Sequence, residues 1–365
     1  MLSTPLTTMP KPWKAADMLQ ASHWTRRLTG AEQAGILKGL KVFLASGIPI
    51  TKAIASDFPF ENIEKLITDI YREIYAEFGI IVMKDFPIQG LTETEIQAMY
   101  WGFTNQLGLL RPQGKDSGLI KHVKDAGGAY RNATGRGYNT NSELDFHTDL
   151  SDIVGLLCLQ EAKSGGISRV CNSLAIYERM QRETPELAKV LTDPIHYSRQ
   201  GEEASSEHPF YSTPIVSFAD GWFSCRYVRN HTRHAHRHEG AREASPEQIA
   251  AMDRVDELAN SPEMVFDMRL EPGDFQLLNN HVTLHSRTAF EDYDDPAKKR
   301  SLLRSWICNP NSQPLSPTLK EAYHDTRAGA VRGGIKGAEF DVDKIDYTRR
   351  AASYHNMLID DRALT

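Results

Sequence analysis

The sequence predicts a mostly β fold with flanking helices, a β-sandwich or jelly roll. Two observations predict it. From Gly118 onward, short strand-like runs alternate with turn residues. No regular alternation of strand and crossover helix accompanies them, which argues against a parallel doubly wound sheet. The 365 residues leave room for one large domain or two ordinary ones.

The elements follow in order. Residues 1–40, with Pro5, Pro10 and Pro12 early, read as an irregular wrapping arm. Residues 60–78 place Ile63, Leu66, Ile67, Ile70, Ile74, Tyr75 and Phe78 at helical spacing, and Gly79 stops the helix. Residues 80–86 (IIVMKDF) read as a strand, and Thr92 with Glu95 forms a capping box that opens a helix to about Leu107. Strand patterns follow at 118–125, 143–149 and 153–162, with a Gly-rich stretch at 126–143 between the first two. A helix is expected over 174–190. Strands at 213–218 and 222–228 are joined by the hairpin turn Ala219-Asp220-Gly221. Ser245 caps a helix over 246–258. Strands are expected at 264–269, 275–278, 281–290 and 300–308. The final 55 or so residues are polar and read as a loosely structured extension. The expected division is therefore an arm (1–40), one domain (41–310) and a C-terminal extension (311–365).

Composition narrows the function. The chain is 40% hydrophobic and 25% charged, with a net charge of −6. That balance disfavours nucleic acid as a partner. No apolar run approaches a membrane span, and no secretory signal is evident at the start, so a cytoplasmic protein is expected. Cys158, Cys171, Cys225 and Cys308 form no C-x-x-C pair and read as buried free thiols. Whether the chain forms a homo-oligomer is not legible.

Two histidine features compete for a metal. Residues 228–240 (VRNHTRHAHRHEG) hold His231, His234, His236 and His238. Arg233 and Arg237 interleave them and disfavour a cation, so the tract reads as a solvated connector on the cleft rim rather than a zinc or nickel store. The quieter feature is His147-Thr148-Asp149 at a strand end, where residues i and i+2 share a face. One H-x-D is expected by chance, but it has company. Gly165-Gly166-Ile167-Ser168 follows, then 271–287 (EPGDFQLLNNHVTLHSR), then Arg300 and Arg304, four apart on a strand pattern. Two histidines and one carboxylate with open positions make the facial triad of non-haem Fe(II) oxygenases. An arginine fork suits the far carboxylate of a 2-oxoacid cosubstrate. His281 and His285 both compete for the third ligand position. Ser168 could equally be a helix N-cap.

H-x-D, G-G-x-[ST], a distal histidine and R-x-x-x-R, in this order, resemble the TauD/TfdA family of Fe(II)/2-oxoglutarate oxygenases over residues 75–310. The resemblance implies a double-stranded β-helix, a cupin-like jelly roll. It selects His147, Asp149 and His285 as catalytic iron ligands. It gives Ser168, in the place of the usual threonine, and Arg300 to 2-oxoglutarate. Arg304 goes to the metal-side carboxylate or an anionic substrate. The segment 291–299 lengthens the interval between His285 and Arg300. The loop 127–142 reads as a lid, offering Tyr130, Arg131, Asn132, Arg136, Tyr138 and Asn139 to substrate, with Arg287 as a further candidate. The implied reaction consumes Fe(II)-bound 2-oxoglutarate and O₂, releases succinate and CO₂, and hydroxylates a C–H bond of a small, anionic metabolite. Asp149 argues against halogenation. Desaturation, cyclisation and C–N cleavage use the same triad, and a non-catalytic jelly-roll binding protein is the remaining alternative.

Overall fold

A computed structural model describes residues 8–128, 130, 135, 137–337 and 339–364. Two antiparallel-dominated sheets face each other. The larger has seven strands. Ile153–Gln160 lies in it between Phe275–Asn279 and Ser301–Cys308, and Ile80–Lys84 pairs with Phe275–Asn279 on the other side. The smaller sheet has four strands, ordered Phe266–Met268, Ser168–Asn172, Thr283–Arg287 and Leu144–His147.

The period of two along each strand builds the layers. Ile81 and Met83 pack with Ile70, Ile74, Tyr100 and Phe103 of the helices Glu64–Tyr75 and Glu93–Leu107, outside the large sheet. Ile80 and Val82 face the other way and pack with Val170, Cys158 and Leu302 between the sheets. Phe275, Leu277 and Leu303 likewise join the helix layer, while Leu278 and Leu302 face inward. The space between the sheets holds the polar residues described below.

Several local expectations hold. Thr92 accepts from the Glu95 N–H and caps Glu93–Leu107. Ser245 caps Pro246–Ala259. Val216–Ala219 and Trp222–Cys225 form a hairpin whose turn residues Asp220 and Gly221 both have positive φ. All four cysteines are buried free thiols.

Other expectations need correction. Residues 15–40 are not irregular. Thr25–Arg27 pairs in parallel with Ile80–Lys84, and Thr29 caps the helix Gly30–Ser46. Three glycines weaken that helix on propensity, but a Cβ at Gly35 would lie 1.9 Å from the Glu61 carbonyl oxygen. Close approach to Phe60 and Glu61 requires Gly35 and Gly39, whereas Gly30, at the helix start, faces open space. The expected helix over 174–190 is two, Ser173–Glu183 and Pro185–Val190, because Pro185 cannot donate to the first and instead starts the second. The expected strand 281–290 is Thr283–Arg287, followed by a separate short strand Phe290–Glu291 that pairs with Ser164–Gly165; the chain crosses from one sheet to the other at residues 280–282. The C-terminal segment is ordered rather than loose: Val342–Tyr354 is a helix that buries Tyr347, Ala351 and Ala352 in the main core.

Candidate active site

The site lies between the sheets. Leu144–His147 and Thr283–Arg287 are antiparallel neighbours, and their register sets His147 directly opposite His285. The two rings lie 4.3 Å apart. Asp149 follows two residues after His147, so its carboxylate reaches the same point: His147 Nε2 is 4.0 Å from Asp149 Oδ1, and His285 Nε2 is 3.7 Å from Oδ2. One ligand atom from each residue lies within 4.8 Å of the others, and this is the one such group among the described residues. His281, the rival, is elsewhere. It is fully buried and bonds Asp152 through Nε2 at 2.9 Å.

The protonation states fit a divalent metal. His147 Nδ1 is 2.9 Å from the Asp145 carbonyl, which can only accept. The proton therefore sits on Nδ1, and Nε2 keeps its lone pair. Burial lowers the pKa of His147, against the pull of Asp149. Burial and the neighbouring His147 push His285 down to about 3. For Asp149, burial works upward, but Arg304, both histidines and the Trp306 indole N–H outweigh it and hold the carboxyl below its usual range. Two neutral imidazoles and an ionised carboxylate are the donor set of an open non-haem iron centre.

The Gly-Gly turn serves Arg300. Gly165 and Gly166 have φ of 71° and 68°, and a Cβ on Gly166 would lie 2.9 Å from Arg300 Nε. Ser168 is the first residue of the strand Ser168–Asn172, not a helix cap; Asn172 caps the helix that follows. The Ser168 hydroxyl instead meets the Gln276 side-chain amide, 3.3 Å away. Arg300 is held by Asp292, which accepts from its backbone N–H at 2.8 Å. Its guanidinium lies 5.1 Å from the Phe290 ring centre, and Nη1 is buried without a partner. Burial lowers its pKa to about 10. Arg287 lies 4.6 Å from the other part of this arrangement, the same Phe290 ring, and burial with the nearby Arg300 lowers it to about 9. Among the described residues neither guanidinium has a carboxylate at ion-pair distance. Arg287 instead donates to the Thr288 carbonyl at 3.2 Å and to the Ser142 carbonyl.

A cavity of about 1030 Å³, open solvent included, connects these groups. His147, Asp149, His285, Ser168, Arg300 and Arg304 all line it, as do the expected substrate residues Tyr130, Tyr138 and Arg287. Asn139 does not, because it sits in the 3-10 turn Gly137–Asn139, where its carbonyl accepts from Ala126 and Gly128. Arg131, Asn132 and Arg136 lie outside the described residues. The histidine tract is on the cleft rim as expected, since His231 reaches the cavity, but its first part is a short helix, Arg229–Ala235, with His234 buried rather than solvated.

Three further participants, Trp306, Gln113 and Arg226, had no assigned role in the sequence, and a fourth, Asn280, belongs to the motif 271–287 that delivers His285. Trp306 donates to Asp149 Oδ2 at 2.7 Å. Gln113 accepts from Arg304 Nε at 2.8 Å. Asn280 Oδ1 accepts from the Asp149 N–H at 2.9 Å, and Arg226 donates to the Thr148 carbonyl at 2.9 Å. Trp306 also had a signal, two residues beyond Arg304 on the same strand face.

A jelly roll enclosing two neutral histidines, an ionised carboxylate and an unpartnered arginine defines the class of non-haem iron oxygenases that use a 2-oxoacid. The comparisons with known proteins place the chain within it. The sequence model for "Taurine catabolism dioxygenase TauD, TfdA family" matches residues 46–306. The FR-33289 synthase of Streptomyces rubellomurinus (strain ATCC 31215) is 32% identical over 322 residues, 87% of this chain and 95% of that protein. A uridine-5'-phosphate dioxygenase of a Streptomyces species is 24% identical over 251 residues, 67% of this chain and 81% of that one. Among solved structures, an asparagine oxygenase complexed with Fe(II), 3-hydroxyasparagine and succinate has a TM-score of 0.62 at 16% identity, covering 78% of this chain and 93% of that one. The oxygenase OrfP, complexed with Fe and α-ketoglutaric acid, has a TM-score of 0.57 at 15% identity over 78% and 94%. At these identities the structures speak to the fold.

The chain belongs to the TauD/TfdA family. It is a non-haem Fe(II)/2-oxoglutarate-dependent dioxygenase that uses O₂ to oxidise a small molecule. No helix among the described residues is long and apolar enough to cross a membrane.

Proposed function

We propose that the protein hydroxylates a C–H bond of a small anionic metabolite, with His147, Asp149 and His285 holding the iron, Ser168 and Arg300 receiving the distal carboxylate of 2-oxoglutarate, and Arg304 facing the substrate. The observation that carries this reading is the convergence of three ligand atoms within 4.8 Å in a cavity that Arg300 also lines. When bound, Fe(II) with 2-oxoglutarate and O₂ supplies the oxidising chemistry.

The chain's own residues do the rest. The Asp145 carbonyl fixes the His147 tautomer, and burial keeps both imidazoles neutral as ligands must be. Trp306 and Arg304, the latter with Nη1 3.4 Å from Asp149 Oδ2, keep Asp149 ionised and oriented. Leu156, Leu270 and Leu302 line the cavity with Arg300 and Ser168, and keep that part dry, which strengthens the grip on a carboxylate. Arg304 also lies 5.6 Å from the Tyr138 ring centre, so cation and aromatic border the same space. An anionic substrate suits this wall, and the relative named for uridine-5'-phosphate fits that preference. Asp149 occupies a position that a halogenase would leave open for halide. The four free thiols suit a reducing cytoplasm.

Succinate formation dependent on both Fe(II) and 2-oxoglutarate is expected for the wild type. A loss of about a hundredfold or more is expected for Asp149→Ala. Full succinate formation by that variant, or none by the wild type, rejects the assignment. Product mass separates hydroxylation from desaturation, cyclisation and C–N cleavage.

A further inference from the structure

The active cavity carries polar groups that iron and 2-oxoglutarate leave idle. Gln200 lines it and is 5% exposed, yet both heavy atoms of its side-chain amide are buried without a hydrogen-bond partner. Asn230 lines it too, is 2% exposed, and its Oδ1 is likewise without a partner. Buried amides left unsatisfied are costly and rare, and a site that holds them is built for a ligand that completes them.

The backbone points the same way. Gln200 has φ of 59°, a left-handed conformation that residues other than glycine seldom adopt and that clusters at ligand sites. Neighbours hold it there: the Gln200 N–H donates to Ser198 Oγ at 3.0 Å, and Ser198 Oγ is 2.7 Å from His238 Nε2. Asn230 belongs to the helix Arg229–Ala235, and its Nδ2 donates to the Tyr130 carbonyl at 3.3 Å. A carbonyl only accepts, so this bond fixes the amide's orientation and leaves Oδ1 as a pure acceptor. The segment is anchored beside the metal-bearing turn, because Tyr227 O accepts from the Thr148 N–H at 2.8 Å. The histidine-rich stretch thus supplies a cavity wall.

We propose that Gln200 and Asn230 form a subsite for an amide group, so that the substrate is a small anion that also carries an amide. Asn230 Oδ1 takes the amide N–H. Gln200, with one acceptor and two donor hydrogens, takes the amide carbonyl through its nitrogen. A hydrocarbon in this place leaves three buried polar atoms unsatisfied, and sites of that kind reject analogues lacking the polar group strongly. A second carboxylate there meets the Asn230 acceptor and is disfavoured. The location of this subsite rests on the iron-site reading above.

The test uses the full chain loaded anaerobically with Fe(II) and 2-oxoglutarate, and probes matched in length. N-acetyltaurine is compared with pentane-1-sulfonate, and N-acetyl-β-alanine with hexanoate, by calorimetric dissociation constants. In at least one pair the amide member binds about tenfold or more tightly. Gln200→Leu and Asn230→Leu bring that ratio close to one. Gln200→Asn, which keeps an amide and tolerates the left-handed backbone, retains most of the preference and controls for folding. Equal binding within both pairs, binding by none of the probes, or a preference that survives both leucine variants overturns the proposal. Substrate-free succinate formation by the wild type separates the two failures. Where it is present and the pairs bind alike, the amide subsite alone is wrong; where it is absent, the iron-site reading falls as well.

Discussion

The Trp306 indole N–H sits 2.7 Å from Asp149 Oδ2, and Trp306 is 3% exposed. A hydrogen bond from a neutral donor to a buried carboxylate orients the oxygens and lowers the cost of ionising them. Trp306→Phe removes the donor while keeping an aromatic ring. Anaerobic Fe(II) titration should then show an affinity lower by about 10- to 100-fold. An unchanged affinity would mean that the indole only packs. The same residue marks a limit of sequence reading. A strand tryptophan reads as core, and its partner lies 157 positions away in the chain. His281 marks the converse error. Its spacing from His285 matched a shared strand face, but the chain leaves that strand before Thr283, and Asp152 captures His281 instead.

At the scale of elements, the spaced pairs were legible although each has one member just outside its strand: Asp149 follows Leu144–His147, and Arg300 precedes Ser301–Cys308. His147 and Asp149 are two apart at a strand end, and Arg300 and Arg304 both reach the cavity. Ser168 was half legible. Two glycines before a serine read equally as a helix entry, and only the pairing of Ser168 with Met268 and Arg287 makes it a strand start. The glycines themselves have a specific physical task in the turn beside Arg300. Gly166 combines φ of 68° with the 2.9 Å approach of a Cβ to Arg300 Nε. Gly166→Ala therefore adds left-handed strain of about 1–2 kcal/mol and pushes the guanidinium off its place over Phe290. The expected result is a KM for 2-oxoglutarate raised about tenfold, with kcat changed less. It is read from succinate formation against cosubstrate concentration, and an unaltered KM would show that Arg300 does not depend on this clearance.

Across the whole molecule, the family match ends at residue 306, yet the chain beyond it supports the site. The backbone N–H of Gly334 donates to the Leu150 carbonyl at 2.7 Å, and Ile335 lines the cavity while its N–H donates to the Pro112 carbonyl, beside the Gln113 that holds Arg304. Arg332 goes deeper. Its Nε donates to Asp152 Oδ1 at 2.8 Å, and both residues are fully buried. Asp152 also meets His281 and accepts from the Asn309 N–H at 3.0 Å, three residues past Asp149. Burial would drive this carboxyl toward its neutral form, but Arg332, His281 and the Asn309 N–H outweigh burial and hold its pKa below the usual range. The polar composition that made this segment read as loose is partly spent on that buried pair. Removing the arginine strands a charge where water cannot reach it, which costs about 3–5 kcal/mol, whereas neutralising both partners costs much less. Arg332→Met should lower the free energy of unfolding by that amount in a denaturant titration, and Arg332→Met with Asp152→Asn should recover a substantial part. Because Asp152 closes the turn that begins at Asp149, the single variant should also bind Fe(II) more weakly than the double variant. Equal losses in the two variants would show that Arg332 stabilises by packing alone and that the C-terminal segment does not act on the turn through this charge.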